Sequence, residues 1–182
     1  MTSEDSLSNQ RFCPQELESS APGTPGRVED TEQLCRAGYS PMHGSGEKLP
    51  KNSLLKLVDL ALGSLSVWRF GGVRGLDIEG LLSICNKNTP DKNDLWKIFS
   101  VTAGEVRARV SEDNVCVKFC VIDDTYIDSD RNYHAAHAVI GVCERFGCKE
   151  IPSECLASNE QLLRFRDELR LLFLKNVVWS SD

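Results

Sequence analysis

His134, His137, Cys143 and Cys148 fall within one stretch, "HAAHAVIGVCERFGC", that holds the densest set of metal-binding and nucleophilic side chains in the chain. Two imidazoles and two thiols are the donor set of a structural zinc site, which needs four ligands converging tetrahedrally, usually as two close pairs. They are also the parts of a thiol active site, in which a neighbouring histidine lowers the cysteine pKa. The segment from about Asn132 to Phe146 reads as a helix stopped by Gly147. On such a helix His134 and His137 share a face. Cys143, six positions past His137, points elsewhere at about 100° per residue. The dipole at a helix C-terminus also opposes thiolate formation at Cys143 and Cys148. The expectation is therefore packing, with no catalytic residue, metal or cofactor. A zinc-stabilised regulator or a thiol- or metal-dependent enzyme using His134, His137, Cys143 and Cys148 stands as the alternative.

Other motifs fail on spacing. "DDTYIDSD" resembles the start of a calcium loop, but the sixth and twelfth places from Asp128 hold Tyr133 and Val139 instead of glycine and glutamate. A solvated acidic turn is expected. "FGGVRG" lacks the Gly-Lys-Ser/Thr of a phosphate loop and the strand that precedes a dinucleotide fingerprint. Trp68, Phe70 and Arg74 around it have the composition of an exposed contact point for a protein partner.

The elements that would position these residues divide the chain at about residue 51. Residues 1–51 hold five basic residues (Arg11, Arg27, Arg36, Lys48, Lys51) against eight acidic ones, with prolines, serines and glycines between scattered apolar residues. That composition predicts a disordered tail. Residues 52–182 read as one α+β domain. "SLLKLVDLALGSLSVW" predicts a helix from Ser53 to Trp68, "LDIEGLLSIC" a second, and "NKNTPDKNDLWKIF" a third. "EVRARV" and "VCVKFCVI" alternate as an antiparallel hairpin. A last helix opens at Ser158 with Gln161 in a capping-box position.

The 182 residues carry a net charge of −6 with a pI near 5.2. A nucleic-acid partner is not expected, because Arg69, Arg74, Arg107, Arg109 and Lys118 would have to cluster against that field. No apolar run reaches the ~18 residues of a spanning helix, and "MTSEDSLSNQ" lacks a secretory pattern. An intracellular location with mostly reduced cysteines is expected, and peripheral membrane contact has no sequence support.

The layout resembles that of the small matrix proteins of rhabdoviruses over about half the chain. The shared features are a strand ending in an acidic pair ("VKFCVIDD"), a following helix ("YHAAHAVIGVCERF"), an earlier helix ending in tryptophan ("LVDLALGSLSVW") and a proline-rich N-terminal tail. The tail here is acidic where that family is basic, and a proline-rich budding motif with tyrosine is absent. The resemblance implies a self-associating, non-enzymatic protein of the virion. From residues and resemblance alike, a protein-interaction or assembly protein is expected, its partners other proteins or itself.

Overall fold

The computed structural model describes residue 16 and residues 26–46, 52–72, 75–108, 119–128, 130–142 and 159–181. Strand β1 (Gln33–Ser40) is followed by a 3-10 turn (Asn52–Leu54), helix α1 (Leu57–Ala61), β2 (Leu65–Phe70), α2 (Ile78–Lys87), β3 (Asp94–Thr102) and α3 (Ala103–Arg107). Then come β4 (Phe119–Asp123), β5 (Tyr126–Ile127), β6 (Tyr133–His134), β7 (His137–Val142), α4 (Asn159–Lys175) and β8 (Val177–Ser180). Six strands form one antiparallel sheet in the order β4-β7-β2-β1-β3-β8, and β5 with β6 makes a separate hairpin. The class is α+β, as the sequence predicts.

Successive strand residues point to opposite faces, so the sheet has two cores. Leu34, Val67, Phe99, Val121 and Ile140 meet the apolar residues of α1, α3 and α4, including Leu60, Val106, Phe165, Leu169 and Phe173. Cys35, Trp68 and Ile98 meet Leu81, Ile84 and Cys85 of α2, and Tyr126 of the small hairpin packs beside them. Helix α2 starts where Asp77 accepts the Gly80 N–H, a side-chain cap that satisfies one of the free amides of the first turn.

Much of the local prediction is corrected. The expected tail contains β1, which lies inside the sheet and pairs with both β2 and β3. Its Leu34 and Cys35 are adjacent and both fully buried, so neither amphipathic period appears. The expected helix 53–68 is a 3-10 turn, a short helix and a strand. Gly63 at φ +67 ends α1, and "LSVWRF" continues as β2. The third expected helix is β3, whose Leu95 and Trp96 are buried on opposite faces.

The expected strand at 105–110 begins as helix α3, fixed by a reciprocal capping box between Thr102 and Glu105. The second half of the expected hairpin survives as β4, but β4 pairs with β7. Residues 109–118 lie outside the described residues. The helix expected around His134–Val142 is strands β6 and β7. "HAVIGV" is buried at every position, which removes the alternation that marks a strand. Helices α2 and α4 are where the sequence places them.

One irregularity opens the sheet. β1 pairs with β3 from Gln33 to Ser40, but with β2 only over Gln33–Cys35 against Phe70–Trp68. Past Cys35 the two strands separate. Arg36 bridges the gap, donating from Nε to the Leu54 carbonyl and from Nη1 to the Ser66 carbonyl, each at 2.6 Å. A backbone acceptor left without its ladder partner must find another donor when buried, and the guanidinium supplies it.

Candidate functional site

The gap between β1 and β2 is a cavity of about 190 Å³ lined by Arg36, Ala37, Tyr39, His43, Ser66, Trp68, Asn88 and Tyr126. Its walls follow from strand parity. Ser66 and Trp68, two apart on β2, face α2, and so does His137 at the start of the neighbouring β7. Trp68 is directly opposite His137 in the ladder, with ring centroids 5.1 Å apart. Tyr126 stands edge-on to Trp68 at 5.6 Å, and His134 at 5.9 Å.

Ser66 Oγ lies 2.6 Å from His137 Nε2. On the other side of the ring, His137 Nδ1 lies 3.4 Å from Asp124 Oδ2. That approach carries charge attraction without hydrogen-bond alignment, since Nδ1 is buried and makes no well-formed bond. Asp124 follows β4 directly, and its amide donates to the His137 carbonyl at 3.3 Å. Serine, imidazole and carboxylate thus line up across β2, β7 and the end of β4. Burial pushes the His137 imidazole down to about 4, against the pull of Asp124, with His134 adding to the depression. At neutral pH the ring is uncharged, and the Ser66 hydroxyl can donate to Nε2 when Nδ1 carries the proton.

Arg36 is held below its ordinary value, to about 10, by burial, with Asp59 and Tyr39 opposing the shift. It remains a cation at neutral pH, and the nearest carboxylate, Asp59, is 3.9 Å away.

The acidic loop is not a solvated turn throughout. Asp128 is buried and accepts the amides of Asp130 and Asn132 at 2.9 Å each and the Asn132 side-chain amide at 3.1 Å. Lys87 of α2 donates to it at 2.7 Å, and His134 Nε2 lies 3.1 Å away. The Lys87 hydrogen bond, ahead of the other donors, holds this carboxyl well below the usual range. Asp128 ties the small hairpin to α2, alongside a second pair from Lys87 to Asp130 at 2.7 Å and a bond from the Tyr126 hydroxyl to Asn88 at 3.4 Å, and together these set where His134 and Tyr126 stand.

His134 and His137 come together, but around Trp68 and on strands, not on a helix. Cys143 and Cys148 lie outside the described residues, and among the described residues no three His, Cys, Asp or Glu side chains are grouped to hold a metal. Trp68, expected at an exposed contact point, is only 8% exposed and centres the aromatic cluster. Phe70 is half-buried against the α2 core, and Arg74 lies outside the described residues.

Cys35 and Cys85 are free and buried, and burial pushes both thiols up to about 12. Cys120 is disulfide-bonded, which corrects the expectation of reduced thiols for this residue. The sequence marks Asp124 only as part of an acidic loop, and does not mark Ser66 or Arg36 as site residues. The one available signal was the alternation "LSVW", which puts a hydroxyl and an indole on one face once it is read as a strand.

Two of the basic residues considered for nucleic acid are interior ion pairs. Arg69 is fully buried between Glu32 and Asp123, and Arg107 is 7% exposed with Glu16 and Asp30. Neither is available to a phosphate. No protein-family model matches the sequence, and no curated protein or solved structure shows significant similarity to it.

Proposed function

We propose that the chain is an interaction or assembly protein that associates with a second copy of itself through the outer surface of α1 and α4. Val58 and Leu62, one turn apart at the end of α1, and Leu163 and Leu171 on α4 are exposed by 41% to 67%. The two helices pack against each other over the first core. Large apolar side chains left facing water on two helices that contact each other are the composition of a protein contact surface. That grouping carries the proposal.

Two segments that underlie the matrix-protein likeness, around Trp68 and His137, are strands. The proposal therefore rests on the helical surface and not on that likeness. No helix among the described residues is long and apolar enough to cross a membrane. The disulfide at Cys120 runs against a reducing compartment, where thiols stay free. No compartment is assigned.

Light scattering across a concentration series tests the association. Mass should rise with concentration, and Leu62→Glu or Leu171→Glu should shift the midpoint at least tenfold upward without changing the circular dichroism. A chain that stays monomeric throughout, or glutamate variants that associate like the parent, would overturn the proposal.

A further inference from the structure

We propose that Ser66 is a nucleophilic serine that takes up the acyl group of a small carboxylic ester in the cavity between β1 and β2. This goes beyond assembly and uses the opposite face of the sheet, the one covered by α2.

Four observations converge on it. The Ser66 hydroxyl is 2.6 Å from the imidazole nitrogen that would receive its proton. The far nitrogen of the same ring faces Asp124, a half-exposed carboxylate, at 3.4 Å. Serine, base and orienting acid are the parts of an activated hydroxyl, recognised by geometry and not by chain order. Ser66 also lines a cavity of about 190 Å³, so a small molecule can reach it. A serine that merely satisfied a buried histidine would have no need of such a space beside it. Finally, Arg36 also lines the cavity, and its guanidinium donates to the Ser66 carbonyl at 2.6 Å, which holds a cation beside the backbone of the nucleophile.

The step balances without a further reactant. Ser66 Oγ attacks the ester carbonyl carbon, and its proton moves to His137 Nε2. The bond to the alkoxy oxygen breaks, and the alcohol leaves with that proton. Acyl-Ser66 remains until water attacks the same carbon, releasing the carboxylic acid and restoring the hydroxyl. Trp68 and Tyr126 give the cavity an apolar wall, which suits an aryl or short alkyl acyl group over a charged one. Burial leaves His137 a weak base, so water is activated poorly and the acyl form should accumulate. The expected behaviour is slow acceptance of one acyl group per chain, followed by slower release.

The full chain, incubated separately with p-nitrophenyl acetate and with diisopropyl fluorophosphate, provides the test by intact mass and peptide mapping. One acetyl or one phosphoryl adduct at Ser66 is expected, with about one nitrophenolate released per chain in the first turnover. Ser66→Ala should abolish the adduct. His137→Gln should slow its formation at least tenfold. Asp124→Asn, a positioning change, should slow it several-fold and alter its pH profile, while circular dichroism stays the same.

Absence of an adduct at Ser66, an adduct spread equally over other serines and lysines, or labelling unaffected by His137→Gln would each overturn the proposal. If His137→Gln does not fold, the mapped site in the parent chain and the Ser66→Ala result still decide it. Leu62→Glu should label like the parent, so failure of assembly and failure of acylation remain distinguishable.

Discussion

Arg69 Nη1 and Asp123 Oδ1 meet at 2.9 Å with both side chains fully buried, joining β2 to the end of β4 across β7. Glu32, just before β1, takes two further bonds from the same guanidinium, at 2.7 and 2.8 Å, and the Gly26 carbonyl accepts a fourth at 2.8 Å. One cation therefore fixes the approach to the central strand. Removing it leaves a buried carboxylate uncompensated, a loss worth about 3–5 kcal/mol where such pairs are broken from one side. Arg69→Met should lower the urea midpoint by that equivalent. A change under about 1 kcal/mol would mean that the carboxylates are solvated in the variant, contrary to the packing described.

A fragment comprising residues 52–182 should not fold. It lacks β1, and with it the backbone partners of both β2 and β3. It also lacks Glu32 and the Glu16 carboxylate, which accepts the Val121 amide at 2.6 Å and pairs with Arg107. Loss of a cooperative thermal transition in this fragment, against a sharp one in the full chain, is the expected result.

Stability should fall between pH 6.5 and pH 4. The folded His137 titrates near 4 and the unfolded one near 6.5, so within this window the unfolded chain binds more protons. The contribution is complete above pH 6.5, shrinks as pH falls, and levels off below pH 4. It amounts to roughly 3 kcal/mol over the window. Glu16, whose carboxyl burial pushes up, acts with the opposite sign, while Asp128 loses its contribution only at lower pH. Denaturant titrations at half-unit steps should show a slope that His137→Gln flattens.

Asp128→Ala should loosen the small hairpin while sparing the six-stranded sheet. The substitution removes one of the two carboxylates that pair with Lys87 and the acceptor for the Asn132 side chain and two backbone amides, and it leaves His134 without its carboxylate. Hydrogen exchange should accelerate between Tyr126 and His134, and Trp68 fluorescence should shift, with little change in β1–β3. Equal acceleration across the large sheet would contradict a local role.

Cys35 and Cys85 should resist iodoacetamide at neutral pH in the native protein and react once it is unfolded. Both are shielded, and burial holds both thiols protonated. Cys120 should remain unlabelled even after unfolding until a reductant is added.

The helices legible in the sequence are those with one wet face. Helix α2 buries Leu81, Ile84 and Cys85 and exposes Glu79, and α4 buries Leu162, Phe165, Leu169 and Phe173 on one stripe. Strands β2, β3 and β7 have the sequence pattern of helices because they are sandwiched between helices and hairpin. Buried on both faces, Leu65, Val67 and Trp68 show no period of two, while the chance spacing of Leu54, Leu57, Ala61, Leu65 and Trp68 mimics a helix. His134 and His137 stood out by residue type. Their working partners did not, because Ser66 is 71 residues from His137 and only the sheet order brings the two side by side. Even the class was easier to read than the pairing, since an α+β mixture survives when individual segments exchange roles.

The position of β1 also has a consequence for synthesis. This strand leaves the ribosome before either neighbour, yet β2 ends at Phe70 and β3 at Thr102, and β8 completes the far edge only at Ser180. Until those segments emerge, the middle of the future sheet is an open, largely apolar ribbon in a growing polypeptide. Newly made chains should therefore lean on chaperones through most of translation, and slowing the ribosome between Phe70 and Thr102 should increase aggregation.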